Sequence, residues 1–160
     1  YPPETSNYHH EIELVVAIGK EGSNISKDEA VSYIFGYAIG LDMTRRDLQS
    51  QAKDKGRPWD NGKSFQYAAP MGEIVPIAKT GEIVDGRIAL SVNGKIRQEA
   101  PMDEMITSVS ETIADLSRFH TLYPGDLIMT GTPAGVGAVV AGDILERSAE
   151  KVGALRVKIV

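Results

Sequence analysis

One segment near the start of the chain, residues 9–19, restricts the possible fold more than any other. Its sequence is His-His-Glu-Ile-Glu-Leu-Val-Val-Ala-Ile-Gly, in which polar and apolar residues first alternate and apolar residues then follow without a break. This pattern is typical of a strand that runs from a polar cleft into a buried core. We therefore expect a sheet in which one end of this strand lies at a functional site.

Further strands and a few short helices are indicated along the rest of the chain. The sequences on either side of Asn93-Gly94 alternate between polar and apolar residues, which predicts a two-residue hairpin. Other strands are expected at residues 35–43, 127–129, 143–147 and 154–160. Helices are expected after the Ser26 and Glu29 pair and at residues 45–53 and 103–118, with a polar loop at 54–62.

Strands outnumber helices in this interpretation, and the connections between them are hairpins and irregular loops rather than strand-helix-strand crossovers. An α+β fold that is mostly β follows. A chain of 160 residues with 42% apolar content can bury one sizeable core. We therefore expect residues 1–160 to form a single domain.

Composition limits the possible partners. The net charge of −5 argues against a broad phosphate-binding surface, so a nucleic-acid partner is not expected. The chain has no cysteine, so any metal must be held by oxygen or imidazole, which favours hard divalent cations. No apolar stretch reaches the roughly 18 to 20 residues that a membrane span needs, and no signal peptide opens the chain. A soluble, cytoplasmic protein with no membrane partner is the expectation.

Two carboxylates in the first strand suggest a metal site. Side chains two residues apart on a strand share a face, so Glu11 and Glu13 project together, with Cβ atoms about 7 Å apart, while Ile12 points into the core. Both carboxylates can then converge on one cation. The alternative is an edge strand with a solvated acidic face. His9 shares the acidic face, where a hydrogen-bond partner of the site is a more common role than a ligand.

Asp42 is the third candidate ligand because it ends the second apolar strand. A carboxylate there is costly unless it is paired or bound to a metal. It could instead cap the helix that follows, or pair with Arg45 or Arg46. Together with Glu11 and Glu13 it completes a site of three carboxylates, and the functional interpretation becomes the better one.

Two loops add candidates of lower specificity. Lys63 follows a glycine-containing polar loop, where a lysine is ordinarily a solvated charge. Residues 130–137, Thr-Gly-Thr-Pro-Ala-Gly-Val-Gly, are small enough for a substrate to approach the backbone, and Thr132 could donate to a carboxylate. This loop lacks the lysine and hydroxyl ending of a phosphate-binding loop, and a plain turn is its alternative.

Four ordered motifs resemble those of the fumarylacetoacetate hydrolase family, and especially its small bacterial fumarylpyruvate hydrolases and acylpyruvases. The motifs are His-x-Glu-x-Glu, Leu-Asp-Met-Thr-Arg-Arg-Asp-Leu-Gln, Gly-Arg-Pro-Trp-x-x-x-Lys-x-Phe and Thr-Gly-Thr-Pro-x-Gly-Val-Gly, and the resemblance runs from about His9 to the C-terminus. It implies a β-roll of mixed sheets with a few short helices, usually dimeric.

The resemblance also implies roles for individual residues. Glu11, Glu13 and Asp42 would bind Mg²⁺ or Mn²⁺. Lys63, Gln49 and Thr132 would act in catalysis. Arg46, Phe65 and Gly131 would contact the substrate.

The chemistry implied is metal-dependent hydrolysis of a carbon–carbon bond in a 1,3-dicarbonyl acid, fumarylpyruvate or another acylpyruvate, during the catabolism of aromatic compounds. Water attacks the distal carbonyl, and the bond breaks toward pyruvate, whose enolate is stabilised by the cation and by Lys63.

Relatives carry a lid segment upstream of the first metal-binding strand, with a His and a Glu that activate the attacking water. The catalytic domain of residues 1–160 is expected to lack this lid. Decarboxylation of oxaloacetate and isomerisation of a diacid are alternative reactions for the same site. A non-catalytic metal-binding or ligand-binding module is an alternative of another class. The preferred acyl group, the metal used in the cell and the oligomeric state are left open by the sequence.

Overall fold

The computed structural model describes all 160 residues, which form eleven strands, four α-helices and two short 3-10 helices. The strands are β1 (Tyr8–His10), β2 (Ile12–Ile18), β3 (Ile34–Leu41), β4 (Thr44–Arg45), β5 (Val75–Pro76), β6 (Arg87–Val92), β7 (Lys95–Pro101), β8 (Leu127–Met129), β9 (Gly137–Val139), β10 (Ile144–Ala149) and β11 (Gly153–Lys158). The helices are α1 (Arg46–Asp54), α2 (Asp60–Lys63), α3 (Ile77–Thr80) and α4 (Val109–Phe119), and the 3-10 helices are Ala30–Tyr33 and Met102–Glu104.

A four-stranded sheet with the order β5-β3-β2-β8 contains the apolar run that follows the two glutamates. Every residue of β2 is buried, as the apolar run predicts for residues 14–18, and the burial includes Glu13. In the pairing with β3, Ile12 lies opposite Leu41 and Glu13 lies opposite Gly40. Gly40 is required there, because a Cβ atom at this position would lie 2.7 Å from Cγ2 of Val15. The register therefore places the start of β2 beside the end of β3.

A second sheet, with the order β11-β10-β6-β7, packs its apolar face against the first. Its β6-β7 hairpin turns at Asn93 and Gly94, whose φ angles of 51° and 76° suit the two-residue turn that their sequence predicts. One hydrophobic core includes Leu14 and Ile39 of the first sheet together with Leu90 of the second. The buried Arg147 of β10 reaches toward the first sheet and donates from Nη2 to the Pro70 carbonyl at 3.1 Å.

The third sheet is small and joins the parts of the chain that surround the predicted site. In its order, β4-β1-β9, Tyr8 lies opposite Arg45 on one side and Val139 on the other. The strand expected at residues 9–19 is divided at Glu11, because β1 pairs with β4 and β9 whereas β2 pairs with β3 and β8. Strand β1 leads into Glu11, β4 follows Asp42, and β9 ends the glycine-rich loop of residues 130–137. Three segments that are far apart in the sequence therefore meet at one end of the first sheet.

The sheets differ from the expected mixed arrangement, because all strand pairings are antiparallel. Parallel pairs need long crossover connections, usually helical, and this chain connects its strands mainly by hairpins and loops. The α+β, mostly β class is otherwise as predicted.

Helix α1 lies within one residue of its expected bounds, whereas the other two expected helices differ from the sequence patterns. The helix expected from residue 103 begins only at Val109, where Ser108 and Glu111 form a capping box. The Ser26 hydroxyl donates to the Glu29 side chain at 2.6 Å instead of capping a helix, and a single 3-10 turn follows. Strand β4, which contains Thr44, directly precedes α1. The expected loop at residues 54–62 contains the start of α2.

No helix in the structure is long and apolar enough to cross a membrane.

Candidate active site

Three carboxylates lie together where β2 begins and β3 ends. Ligand oxygens of Glu11, Glu13 and Asp42 are within 4.8 Å of one another. The backbone fixes this geometry, since the Asp42 N–H donates to the Glu11 carbonyl at 2.8 Å. Glu11 and Glu13 are only 8% and 4% exposed, so the alternative of a solvated acidic face is wrong.

Lys63 bridges two of these carboxylates. Its Nζ atom lies 2.8 Å from Oε2 of Glu11 and 2.6 Å from Oδ2 of Asp42. Arg46 donates from Nη2 to the other oxygen of Glu11. Lys63 is therefore not a solvated loop lysine, and Asp42 pairs with Lys63 rather than with Arg45 or Arg46. Helix α2, which the sequence patterns did not reveal, turns Lys63 into the site.

The environments of the first two carboxylates shift their pKa values in opposite directions. Burial works to raise the pKa of Glu11, but the hydrogen bonds and charges of Lys63 and Arg46 outweigh it and lower this pKa. Glu13 has no cationic partner of this kind. Burial raises the pKa of Glu13 to about 7, although the Gly131 N–H donates to it at 2.7 Å, and the neighbouring charges of Asp42 and Glu11 add to the increase.

The donor set fits a hard divalent cation. All three groups offer carboxylate oxygen, which is the ligand type that Mg²⁺ and Mn²⁺ prefer. The single ammonium group of Lys63 contacts Glu11 and Asp42 but leaves the buried Glu13 without an ion pair. A divalent cation at this position would compensate the remaining negative charge.

Arg46, Gln49 and His9 form a connected group beside Glu11. Arg46 is the first residue of α1 and donates from Nη1 to Oε1 of Gln49 and from Nε to Nδ1 of His9, the latter at 3.4 Å. Burial, with the nearby charge of Arg46, lowers the pKa of His9 and so favours its neutral form. His9 therefore stands next to the site as a hydrogen-bond partner of Arg46, in keeping with the sequence prediction.

Phe65 lies two residues after Lys63, and its ring packs against other side chains of the protein. The Arg45 guanidinium lies 4.3 Å from the centre of its ring, and the Tyr8 ring packs against its edge with ring centres 6.1 Å apart. These contacts anchor the segment that carries Lys63. A contact between Phe65 and the substrate stays a prediction.

The glycine-rich loop closes the site on the side of Glu13. Its first residues continue β8 along β2, because the Thr130 hydroxyl donates to the Leu14 carbonyl at 2.9 Å. Gly131 then points its N–H at Glu13. Thr132 is half-buried and follows directly. The loop is thus part of the carboxylate site and not a plain turn, and the substrate contacts of Gly131 and Thr132 stay predictions.

Comparison with known proteins identifies the family. The model of the fumarylacetoacetate (FAA) hydrolase C-terminal family matches residues 1–160. The chain belongs to the fumarylacetoacetate hydrolase family. The solved structure of fumarylpyruvate hydrolase from Pseudomonas aeruginosa in complex with Mn²⁺ and pyruvate superimposes with a TM-score of 0.99 at 49% identity, covering 100% of this chain and 69% of that one. The predicted fumarylacetoacetate hydrolase fold is therefore confirmed.

Two relatives show the range of activities in the fumarylacetoacetate hydrolase family. A fumarylpyruvate hydrolase from a Ralstonia species is 60% identical over 144 residues, which cover 89% of this chain and 74% of the relative. The mitochondrial oxaloacetate tautomerase of Rattus norvegicus is 42% identical over 158 residues, which cover 99% of this chain and 72% of the relative. The same scaffold thus appears in proteins named for hydrolysis and for tautomerisation.

Two buried residues near the site, His10 and Gln98, were not found by sequence reasoning. Gln98 accepts hydrogen bonds at Oε1 from His10 and from the Ile12 N–H, and its Nε2 donates to Thr132. A register shift in the β6-β7 pairing leaves Ile96 64% exposed, whereas Gln98 is 1% exposed. The only sequence signal is that Gln98 occupies a position of the hairpin strand whose side chain points into the core. A polar residue seldom occupies such a position unless it is hydrogen-bonded.

A pH dependence of metal binding follows from the raised pKa of Glu13. Below a pH of about 7 a proton must leave Glu13 before its carboxylate can bind a cation. The affinity for Mn²⁺ should therefore fall about tenfold for each pH unit below that value and level off above it. Calorimetric titrations in buffers of different ionisation enthalpy measure the proton released, and the absence of proton release about one pH unit below the pKa would contradict the prediction.

The glycine-rich loop also yields a stability prediction at Gly135. Its φ is +100°, and a Cβ atom there would lie 1.9 Å from the Arg97 carbonyl oxygen. Gly142 has nearly the same φ, +98°, but open space around it. In urea unfolding, Gly142→Ala should cost about 1 kcal/mol through backbone strain alone, and Gly135→Ala about 2 to 4 kcal/mol because the loop must also move away from β7. Equal losses would show that the close approach is unimportant.

Proposed function

We propose that this chain is the catalytic domain of a divalent-metal-dependent hydrolase that cleaves a carbon–carbon bond in a 1,3-dicarbonyl acid. Fumarylpyruvate or another acylpyruvate is the substrate, and pyruvate and a carboxylic acid are the products. The observation that carries the proposal is the cluster of Glu11, Glu13 and Asp42 with Lys63 bridging two of its members. The Ralstonia and Pseudomonas relatives, both named fumarylpyruvate hydrolase, support it.

The three carboxylates would hold Mn²⁺ or Mg²⁺. Once bound, such a cation would act as a Lewis acid toward the carbonyl oxygens of the substrate. The presence of Mn²⁺ and pyruvate in the Pseudomonas structure supports a divalent cation, and the oxygen-only donor set is compatible with Mg²⁺ as well.

The reaction needs positive charge near one carbonyl oxygen. Water adds to the distal carbonyl carbon, the bond from this carbon to the central methylene carbon breaks, and its electron pair moves into the pyruvate enolate, which then takes up a proton. Negative charge therefore develops on the pyruvate carbonyl oxygen. The Lys63 ammonium lies at the carboxylate cluster and can stabilise this charge.

The remaining side chains would orient the substrate. Arg46 is partly buried beside Glu11 and is positioned by Gln49 and His9, so its guanidinium can receive a carboxylate of the acid. The side-chain oxygen Oε1 of Gln49 accepts a hydrogen bond from Arg46. The side-chain NH₂ group of Gln49 is therefore directed elsewhere and can donate to substrate oxygens. Gly131 and Thr132 bound the opposite side of the site.

Turnover assays test the proposal directly. The protein loaded with Mn²⁺ should release pyruvate from fumarylpyruvate or acetylpyruvate, although slowly where the water-activating His and Glu of the lid are lacking, and removal of the metal with a chelator should abolish this release. Pyruvate is measured by coupled reduction, and loss of the 1,3-dicarbonyl absorbance provides an independent readout. Absence of pyruvate release from every acylpyruvate tried would contradict the proposal.

Tautomerisation of oxaloacetate is the second candidate function, favoured by the 42% identity to the rat tautomerase. In this reaction negative charge also develops on an enolate oxygen, so the same residues could stabilise it. Decarboxylation of oxaloacetate belongs to the same group. Assays with oxaloacetate distinguish these reactions by enol absorbance and by CO₂ release. Binding of Mn²⁺ and pyruvate without any turnover would indicate a non-catalytic binding module.

We also propose that the protein is a cytoplasmic homodimer that acts in the catabolism of aromatic compounds. The resemblance to fumarylpyruvate hydrolases supports the pathway and the compartment. The resemblance to the family, whose members are usually dimeric, supports the assembly. Light scattering coupled to size-exclusion chromatography measures the oligomeric state.

A further inference from the structure

Gln98 is a buried side chain whose polar atoms are all engaged. It lies on β7, in the second sheet, and reaches the first sheet and the glycine-rich loop at once. Oε1 lies 2.8 Å from Nδ1 of His10 and 3.1 Å from the Ile12 nitrogen. Nε2 lies 2.8 Å from Oγ1 of Thr132 and 2.8 Å from the Pro133 carbonyl oxygen.

Two backbone groups fix the orientation of the Gln98 amide. The Ile12 N–H can only donate, so the atom facing it must be the oxygen. The Pro133 carbonyl can only accept, so the atom facing it must be the nitrogen. A flipped amide would place two donors together at Ile12 and two acceptors together at Pro133, in a buried environment where each mismatch is costly.

This orientation determines the direction of the hydrogen bonds on both sides. Because Oε1 is an acceptor, His10 must carry its hydrogen on Nδ1. Because Nε2 donates, the Thr132 hydroxyl oxygen must accept, and its own hydrogen must point away from Gln98. The hydroxyl group of Thr132 is thus prepared to act as a donor to a group outside the network.

We propose that Gln98 is a positioning residue that makes Thr132 a hydrogen-bond donor to an oxygen of the bound acid, with His10 holding Gln98 in place. The inference rests on the proposed function for the placement of the substrate beside Thr132. Two further contacts hold this loop. The Gly131 N–H donates to Glu13, and Gly135 packs on the Arg97 carbonyl next to Gln98. The loop therefore has little freedom to find another partner for Thr132.

Reversing the polarity at position 98 tests the proposal. In Gln98→Glu the ionised carboxylate can only accept, so at a pH high enough to ionise this buried side chain Thr132 should donate to it and lose its donation to the ligand. The affinity of the Mn²⁺-loaded protein for pyruvate should fall about 10- to 100-fold, as in Thr132→Ala, because a hydrogen bond to a charged group is lost. Thr132→Ser should keep the affinity. Calorimetry measures pyruvate binding without any need for turnover.

A double-mutant cycle separates positioning from general damage. If Gln98 acts through Thr132, Gln98→Glu should cause no further loss of pyruvate affinity in the Thr132→Ala background. Additive losses would overturn the proposal, because they would indicate a direct charge effect or a distorted site. Gln98→Met removes the amide without reversing the polarity and should reduce the affinity only a few-fold, and a loss equal to that of Gln98→Glu would also overturn the proposal.

A measurement on the unaltered protein covers the case in which the variants do not fold. The ¹⁵N chemical shifts of His10 should show the neutral tautomer with hydrogen on Nδ1, and hydrogen on Nε2 would overturn the proposed network. This result does not depend on metal or substrate. Failure of the loaded wild-type protein to bind pyruvate, in contrast, would count against the proposed function while the tautomer still reports on the network.

Discussion

Replacing Lys63 by Met should lower the turnover of an acylpyruvate by about 100- to 1,000-fold, the loss that removal of one donor to a developing oxyanion typically causes. Its Nζ atom contacts both Glu11 and Asp42, so its charge lies at the centre of the site. This charge matters most when the pyruvate enolate forms, and kcat should therefore fall much more than KM rises.

Metal binding should respond differently to the same change. In the protein without metal, the Lys63 ammonium and an incoming cation compete for the same carboxylate oxygens. Lys63→Met removes this competitor, so the affinity for Mn²⁺ should stay the same or increase. Calorimetric titration with Mn²⁺ and steady-state kinetics measure the two effects separately.

The matched control is Lys55→Met, which removes an exposed lysine between α1 and α2 and should leave both quantities unchanged. A Lys63→Met protein with wild-type turnover would exclude Lys63 from the chemistry. Reduced turnover accompanied by an equal loss of Mn²⁺ affinity would assign Lys63 to the integrity of the site instead.

The parts of the site that could be predicted from sequence are those determined by local geometry. Glu11 and Glu13 share a face because strand side chains alternate, and Asp42 joins them because it ends the neighbouring apolar strand. Asn93 and Gly94 form the predicted hairpin because both accept positive φ angles. In each case the relevant information lies within a few residues.

The parts that could not be predicted depend on contacts between distant segments. Gln98 meets His10 and Thr132 only because β7, β1 and the glycine-rich loop converge, at separations of 88 and 34 residues. Helix α4 begins later than its apolar spacing suggests, because Ser108 and Glu111 provide a better start than Asp103. A pattern of hydrophobic residues does not predict which of two possible helix caps is used or which strand register forms.

Replacing Glu13 by Gln should have opposite effects on the stability of the metal-free protein and on metal binding. Burial raises the pKa of Glu13 from 4.5 to about 7 in the folded protein. The folded state therefore retains a proton that the unfolded state has lost, and the free energy of unfolding decreases as the pH rises between these two values. Above the folded pKa the ionised Glu13 costs on the order of 3 kcal/mol, which the neutral amide avoids.

The metal-free Glu13→Gln protein should consequently be more stable than the wild type at a pH of about 8, and the advantage should vanish below a pH of about 4.5. The side-chain carbonyl of the substituted amide can still accept the Gly131 N–H, so the loop keeps its contact. Urea unfolding at several pH values in the presence of a chelator measures this difference. The exposed Glu21 offers the control, because Glu21→Gln removes the same charge without relieving any burial.

Added metal should reverse the order of stability. Mn²⁺ at about 1,000 times its dissociation constant stabilises the wild-type fold by about 4.1 kcal/mol, which exceeds the cost of the ionised Glu13, because it binds only the folded state. The Glu13→Gln protein lacks one of three charged ligands and should gain little at the same concentration. If metal stabilises both proteins equally, Glu13 is not a ligand. If the metal-free variant is instead less stable than the wild type at high pH, a partner must compensate the charge of the Glu13 carboxylate. The site would then lack the uncompensated negative charge that is expected to attract a cation.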